Sequence, residues 1–483
     1  MTSYTVEVLV VGLVGLAALF SNRLTERIRV PAPAVMLVVS ALVVELAPGL
    51  EPHEQLVERL VTVALLFILF DGGIHIGWRR FRAAAVPVTV AGVVGTFLTV
   101  AAAGLLLHVA FGLSWLAALL VATAVAPTDP AMVFAVLGKR EIDGSSGTIL
   151  EGESGANDPV GIALLAGLLA VGAVNTSAFA QVGLIFVVQM LVGAVLGLLG
   201  GRLLVVLMRL PLPSEALYPI RTLAFVLVLY GVTTLAHGSG FLAVFVAGIV
   251  IGDVRAPYKR EVERFHTALG GVAEIVVFVV LGLTVRLPVL ADPRVWVTGL
   301  VLALVLTLVL RPLLIGLCLV RSGLAPNEKA FVLLAGLKGA VPILLAEMLR
   351  ETDVPGAEQL YGIIVVVVIF SVLIQATLTP TAARLLRVPM RTVEPEPWTA
   401  GVRLRDEPEG VARFRVGDGS AAAGRSVASL DELGESFWIN FVVRDRQAVP
   451  ITGGTTLEVG DEVLVQVGGE AHDRLDAFFA RAP

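Results

Sequence analysis

The chain has few charged residues and almost no cysteine. Only 16% of its 483 residues are Asp, Glu, Lys or Arg, whereas 57% are hydrophobic and the mean hydropathy is +0.89. A soluble protein of this length cannot cover its surface with so few charges, and disordered or coiled-coil chains contain more of them. The single cysteine, Cys318, lies in an apolar run, which excludes a disulfide scaffold. The composition therefore predicts a polytopic membrane protein.

The charges that are present lie unevenly along the chain. Residues 401–483 hold nine Arg and fourteen Asp or Glu, so they carry the whole net charge of −5. Neither part of the chain has the basic character that nucleic acid requires, and we expect no nucleic-acid partner. No Lys or Arg precedes the first apolar run, so we also expect no cleavable signal peptide.

Long apolar runs predict an all-α membrane domain with about 13 transmembrane helices. The predicted spans are 5–22, 31–47, 57–76, 84–110, 114–137, 147–173, 180–207, 218–236, 239–254, 267–286, 295–320, 329–349 and 359–383. Lys and Arg concentrate in alternate loops, with 18 on one side and 4 on the other. By the positive-inside rule, we expect the N-terminus outside the plasma (inner) membrane and the C-terminal part in the cytoplasm.

After Pro389 the sequence changes from long apolar runs to an alternation typical of strands. Strands are predicted at 411–416, 437–443 and 462–467, and a short helix at 469–480. We therefore divide the chain into a membrane domain (1–390), a linker (391–400) and a small cytoplasmic α+β domain (401–483).

Ionisable residues inside the predicted spans point to a function. Each costs about 2.5–3.5 kcal/mol at a helix centre, so eight would together cost on the order of 20 kcal/mol. That sum exceeds the stability of a typical domain, so these groups must face a wet cavity or one another. They are Asp71, Asp129, Glu151, Glu153, Asp158, Glu274, Arg311 and Lys338.

Span 6 carries a row of oxygen ligands beside one carboxylate. Ser154 and Asp158 are four residues apart, as are Glu153 and Asn157, so each pair shares a helix face. Hard oxygen donors suit protons, alkali cations and hard divalent ions. Pro159 would also free a backbone carbonyl one turn earlier as a further ligand.

Two spans are interrupted by proline or glycine next to a buried charge. Span 5 reads Ala-Pro-Thr-Asp-Pro at 126–130, and span 12 reads Gly-Leu-Lys-Gly-Ala-Val-Pro at 336–342. If spans 1–6 and 8–13 are inverted repeats, these helices correspond, and such pairs mark transporter sites. Asp129 could neutralise the half-helix N-termini at one break, and Lys338 the C-termini at the other.

These motifs resemble the monovalent cation:proton antiporters of the NhaP and sodium/proton exchanger type. The similarity covers about residues 5–390 and rests on Thr128-Asp129-Pro130 and on Glu-Ser-Gly-Ala-Asn-Asp-Pro at 153–159. Phe-Asp-Gly-Gly at 70–73 and Gly-Leu-Lys-Gly-Ala at 336–340 match as well. The tail resembles the TrkA-C (RCK-C) domain, a combination typical of the potassium/proton, or cell volume regulation, subgroup.

The resemblance implies a homodimer in which spans 5 and 12 cross, and a tail that binds a small ligand such as a nucleotide. It implies that Asp158 carries the cation and the proton, and that Glu153 pairs with Lys338. The residues expected to complete or orient the site are Asn157, Ser154, Thr128, Asp129 and Asp71, with Asp129 either a ligand or a dipole compensator. The family usually has arginine at 338, and several relatives have glutamate at 71.

Competition of a cation and a proton for one carboxylate would couple the two fluxes. Because Asn157 cannot titrate, we expect electroneutral one-for-one exchange. No cofactor is expected. The transported ions are H⁺ and either K⁺ or Na⁺. K⁺ is favoured because the tail resembles that of the potassium/proton subgroup.

Two other function classes compete with antiport. Residues 144–147 and 152–155 match the Gly-x-Ser-Gly pattern of rhomboid-like intramembrane serine proteases. A serine nucleophile, however, needs a base within hydrogen-bond reach, which His237 could supply only by accident of packing. A cation channel would need a continuous pore and a backbone filter, not one titratable carboxylate between broken helices.

Overall fold

A computed structural model describes residues 32–46, 52–137, 140–142, 144–172, 176–285, 288–352, 354–392, 411–433, 437–444 and 447–467, with 475, 478 and 479. The chain divides into two compact units, Met1–Thr399 and Ala400–Pro483.

The first unit is built from helices. In chain order they are α1 (Ala32–Leu46), α2 (Glu54–Thr89), α3 (Gly95–Phe111), α4 (Trp115–Val125), α5 (Pro130–Leu137), α6 (Ser145–Val171), α7 (Thr176–Arg209), α8 (Leu217–Leu235), α9 (Gly240–Gly252), α10 (Lys259–Thr284), α11 (Pro293–Val305), α12 (Gly316–Cys318), α13 (Pro326–Leu334), α14 (Ala340–Arg350), α15 (Ala357–Phe370) and α16 (Ala376–Leu385). π-Helical segments join α2 to α3, α11 to α12 and α15 to α16, at Val90–Val94, Leu306–Ile315 and Ser371–Gln375. Within the described part of the chain, eight helical stretches are long and apolar enough to cross a membrane.

The described helices overlap predicted spans 2 to 13. The first predicted span, 5–22, lies outside the described residues, so the count of thirteen stays a prediction. Spans 3 and 4 form one helical stretch, Gln55–Phe111, that is bent at Gly77. Gly77 has a φ of 66°, a conformation that glycine adopts without steric cost.

Two helices are broken in mid-span. Residues 126–129 separate α4 from α5, and residues 335–339 separate α13 from α14. Pro127 has no backbone N–H and cannot continue the hydrogen-bond ladder of α4. The breaks touch each other, because the amide of Asp129 donates to the carbonyl of Leu337 at 2.8 Å. The structure therefore brings the two interrupted segments of the sequence together.

A short ladder ties the end of this unit to the loop before α6. Strand β1 (Arg140–Ile142) follows α5 and pairs antiparallel with β2 (Met390–Thr392), which follows α16. The chain that leaves the membrane helices is thus paired with the loop between the first broken helix and α6.

The second unit contains a four-stranded antiparallel sheet of order β3-β6-β4-β5. Its strands are β3 (Val411–Arg415), β4 (Phe437–Arg444), β5 (Gln447–Val449) and β6 (Glu462–Val467). Phe414, Val442 and Val463 belong to its apolar core. β3, β4 and β6 coincide with the predicted strands, whereas the helix expected at 469–480 lies mostly outside the described residues.

Candidate functional site

Asp129 faces the N-terminal ends of both half-helices. Its Oδ1 accepts a hydrogen bond from the amide of Ala131 at 2.9 Å, and the amide of Ala340, the first residue of α14, also bonds the carboxylate. Gly339 lies so close that a Cβ there would stand 2.5 Å from Cβ and Cγ of Asp129. Helix N-termini carry unpaired N–H groups and a partial positive charge, so one carboxylate compensates two helix ends here.

Lys338 compensates the opposite kind of helix end. Its Nζ donates to the carbonyls of Ala126 and Pro127 at 2.8 and 3.1 Å, at the C-terminal end of α4. The sequence predicted that Asp129 and Lys338 act at different breaks. In the structure the Lys338 side chain crosses to the first break, at the end of α4, whereas Asp129 serves the helix N-termini at both breaks.

Glu153 pairs with Arg311 and not with Lys338, which corrects the expectation from the family resemblance. Nη1 and Nη2 of Arg311 donate to the two carboxylate oxygens at 2.7 and 3.1 Å, and both side chains are buried. Arg311 also donates to the carbonyls of Leu333 and Val332 at the end of α13. The guanidinium fork matches a carboxylate better than an ammonium does, which is the signal that favours arginine as the partner.

Hydrogen bonds among three residues join α6 to the first break. Ser154 Oγ donates to the carbonyl of Thr128 at 2.6 Å. The Asn157 amide donates to Thr128 Oγ1 at 2.8 Å and accepts from the Thr128 backbone at 3.3 Å. The structure therefore brings together the polar residues that the two sequence motifs supply.

Asp158 lies in the same group, one helical turn beyond Ser154. It is only 7% exposed, and its Oδ1 is buried without a hydrogen-bond partner among the described residues. Asp129 and Lys338 are close enough to act on it electrostatically. A buried oxygen of this kind is costly unless a proton or a cation occupies it.

Asp71 belongs to a different polar group in this conformation. Its Oδ1 accepts from Thr267 Oγ1 at 3.0 Å, and His75 Nδ1 lies 3.3 Å from the same oxygen. Within the described residues, none of its hydrogen bonds reaches Ser154 or Asp158. Its role as a ligand stays a prediction.

Several polar groups of the site face a small cavity. Its volume of about 20 Å³ is enough for one water molecule. Its wall includes the charged side chains of Glu153, Arg311 and Lys338, together with Asn157 and three threonines. These charges therefore face each other and a small polar space, as the cost of burying them in lipid requires.

Two polar residues beside the second break were not predicted from the sequence. Ser371 Oγ accepts from the amide of Lys338 at 2.7 Å, and Gln375 Nε2 donates to the carbonyl of Leu334 at 2.8 Å. The available signal was a pair of polar residues four positions apart inside an apolar span.

Glu274 on α10 is a further acid near the crossing. One of its carboxylate oxygens is buried without a hydrogen-bond partner in the described structure, and Asp129 lies within electrostatic reach.

Comparison with known families gives two matches along the chain. Residues 14–385 match the family described as "Sodium/hydrogen exchanger, transmembrane", and residues 411–480 match the "TrkA-C domain". The first match covers most of the chain and contains every site residue described above.

Individual proteins are also similar. The K(+)/H(+) antiporter NhaP of Alkalimonas amylolytica is 33% identical over 80% of this chain and 68% of its own length. The K(+)/H(+) antiporter NhaP2 of Shewanella sp. (strain MR-4) is 31% identical over 98% of this chain and 83% of its own length. Among solved structures, the sodium proton antiporter MjNhaP1 from Methanocaldococcus jannaschii has a TM-score of 0.65 at 20% identity, covering 79% of this chain and 98% of that one.

Proposed function

The chain belongs to the sodium/hydrogen exchanger family, and we propose that it exchanges a monovalent cation for protons at Asp158. It is a multi-pass membrane transporter and not an enzyme. The ions that it exchanges are transported substrates and not bound cofactors. The observation that carries the assignment to Asp158 is its buried Oδ1, which has no hydrogen-bond partner among the described residues. That oxygen lies one turn from Ser154, which contacts the first break through Thr128.

The exchange follows from competition for this carboxylate. A proton and a dehydrated cation cannot occupy it together, so each must leave before the other binds. Ser154 Oγ and the Thr128 carbonyl oxygen lie 2.6 Å apart, joined by a hydrogen bond. Both oxygens can bind the cation once the hydroxyl hydrogen of Ser154 rotates away from the carbonyl. Asn157 holds Thr128 in place and stays neutral at every pH, which favours one-for-one, electroneutral exchange.

Competition also sets the sign of the pH dependence. At low pH, protons occupy Asp158 on both sides of the membrane and exclude the cation. At high pH, too few protons are available to bind Asp158 for the return half of the transport cycle. We therefore expect exchange to peak at an intermediate pH and to decline on both sides.

We propose K⁺ as the preferred cation. The support comes from relatives named K(+)/H(+) antiporters at 31–33% identity, one of which matches the chain through the tail. The alternative is Na⁺, since the Na(+)/H(+) antiporter ApNhaP of Aphanothece halophytica is 26% identical over 66% of this chain. Proteoliposomes that contain a pH dye and a preset proton gradient decide between them when K⁺ and then Na⁺ are added. If neither cation collapses the gradient, the proposal is refuted.

The assembly and orientation are part of the same proposal. We infer a homodimer of thirteen-helix subunits with inverted repeats, with the N-terminus outside the inner membrane and the tail in the cytoplasm. The loop charges, 18 against 4, support the orientation. A tail that matches the TrkA-C domain supports regulation by a small ligand such as a nucleotide.

The protease alternative finds no support in the contacts of its two candidate serines. Ser146 Oγ donates to Glu328 at 2.9 Å, and Ser154 Oγ donates to a backbone carbonyl. A serine nucleophile needs a general base within hydrogen-bond reach, and neither contact supplies a histidine.

A further inference from the structure

The second break leaves backbone groups that α13 and α14 cannot pair. Among them are the carbonyls of Leu334 and Gly336 and the amide of Lys338. Backbone groups that are buried at membrane depth need other partners, because no bulk water reaches them. The residues that serve them therefore determine the shape of the break.

Two side chains from the π-helical segment Ser371–Gln375 provide these partners. Gln375 Nε2 donates to Leu334 at 2.8 Å and to Gly336 at 3.4 Å. Ser371 Oγ accepts from the amide of Lys338 at 2.7 Å and donates to Gln375 Oε1 at 3.2 Å. Both side chains are buried, so water does not compete for these bonds. Together they form one continuous polar support along the break.

The peptide group between Leu337 and Lys338 is held on both sides. Its carbonyl accepts from the amide of Asp129 at the first break, at 2.8 Å, and its N–H donates to Ser371. From this fixed peptide the Lys338 side chain reaches the carbonyls of Ala126 and Pro127. Ser371 and Gln375 thus act on the first break, next to Thr128, through the position of Lys338.

We propose that Gln375 and Ser371 are positioning residues of the antiport, which hold the second break so that Lys338 supports the cation site at the first. The inference rests on the proposed function. The choice of an amide and a hydroxyl fits this role, because neither group titrates in the working range and neither adds charge that would compete with Asp158. Without them the break relaxes, the Lys338 ammonium leaves the end of α4, and the ligands near Thr128 lose their fixed geometry.

Gln375→Leu and Ser371→Ala test the proposal in proteoliposomes, with the K⁺ concentration for half-maximal exchange as the readout. We expect this concentration to rise about tenfold in Gln375→Leu, since two carbonyls lose their donor, and about threefold in Ser371→Ala. Thr379→Val is the matched control. Thr379 is buried one turn further along the same helix, and within the described residues its Oγ1 donates one hydrogen bond, to the Gln375 carbonyl at 2.9 Å. Its half-maximal concentration should stay within about twofold of the wild type.

The outcomes separate positioning from mere stability. A purely structural role lowers the maximal rate, because less protein is folded, and leaves the half-maximal K⁺ concentration unchanged. That result in both variants overturns the inference. If Gln375→Leu does not fold, Ser371→Ala removes a single hydroxyl and decides alone. If the wild type itself moves no protons in response to K⁺ or Na⁺, the proposed function is wrong, and this inference, which rests on it, is wrong as well.

Discussion

At the scale of single residues, Arg311 joins three parts of the membrane unit through one guanidinium group. It contacts Glu153 on α6 and two carbonyls at the end of α13, and it extends from the π-helical segment that follows α11. A buried pair of this kind contributes little net stability compared with an apolar pair. Removing one partner alone, however, leaves a charge that nothing compensates.

Glu153→Gln should therefore destabilise the protein strongly. We expect a loss of about 3–5 kcal/mol, because Arg311 keeps its charge and loses its counter-ion. Thermal unfolding of the purified protein measures the effect as a lower melting temperature.

Glu263→Gln is the control for that substitution, since its pair with Lys259 has a carboxylate that is 38% exposed. It should cost less than about 1 kcal/mol. Equal losses in the two variants would contradict the account of Arg311 and Glu153.

The residues near the site were predictable from the sequence in type but not in pairing. Buried charge inside apolar spans identified Glu153, Arg311 and Lys338 at once. Which cation meets Glu153 depends on how α6, α13 and the segment after α11 pack, and the sequence does not encode that locally. The family pattern favoured Lys338, and the structure shows Arg311.

At the scale of elements, the crossing of the two broken helices depends on close approach at Gly339. The backbone there passes directly beside the Asp129 side chain, and a Cβ would overlap it. Only glycine leaves room for one carboxylate to serve the N-terminal ends of both α5 and α14.

Gly339→Ala should consequently damage both stability and exchange. We expect a destabilisation of about 1–3 kcal/mol from overpacking, together with reduced transport, as Asp129 is pushed from the helix ends. Melting temperature and proton flux in vesicles give the two readouts.

Gly271→Ala on α10 is the matched control, because a Cβ at Gly271 meets nothing within 4 Å. It should leave exchange unchanged and, by improving helix propensity, stabilise slightly or not at all. If both substitutions behave alike, close packing at Gly339 does not matter.

The broken helices themselves follow from proline, glycine and hydropathy, and the predicted interruptions at 126–130 and 336–342 overlap the observed ones at 126–129 and 335–339. The π-helical segments do not follow in the same way. A π-turn arises from one extra residue in a helix, and no composition marks it. Ser371 and Gln375 stand four positions apart in an apolar span, but the sequence does not show that this π-helical segment faces the second break.

At the scale of the whole molecule, the site lies entirely in the unit Met1–Thr399, which has its own apolar core. The unit Ala400–Pro483 has a separate core around Phe414 and Val463. The mostly helical membrane class was predictable at this scale, because low charge content and long apolar runs dominate the sequence. The preference for K⁺ or Na⁺ could not be predicted from the residues, since oxygen ligands such as the Asp158 carboxylate suit either ion.

Deletion of residues 400–483 should leave the exchange chemistry intact. We expect the same half-maximal cation concentration as in the full chain and a changed response to regulatory ligands. A truncation at residue 388 is the comparison, because it also removes β2 and with it the ladder to β1. We expect the shorter chain to be the less stable of the two. Complete loss of exchange in a well-folded chain of residues 1–399 would argue against this division of roles.

The central claim is that Asp158 carries both ions, and one measurement tests it most directly. Wild type, Asp158→Asn and Asp292→Asn are reconstituted at equal amounts in vesicles with a preset proton gradient, and K⁺ is added. Asp292 is the control acid, since it caps α11 through the Arg294 amide and asparagine can do the same. The account predicts rapid collapse of the gradient in wild type and Asp292→Asn and none in Asp158→Asn. Cation-driven proton movement that persists in folded Asp158→Asn would contradict it.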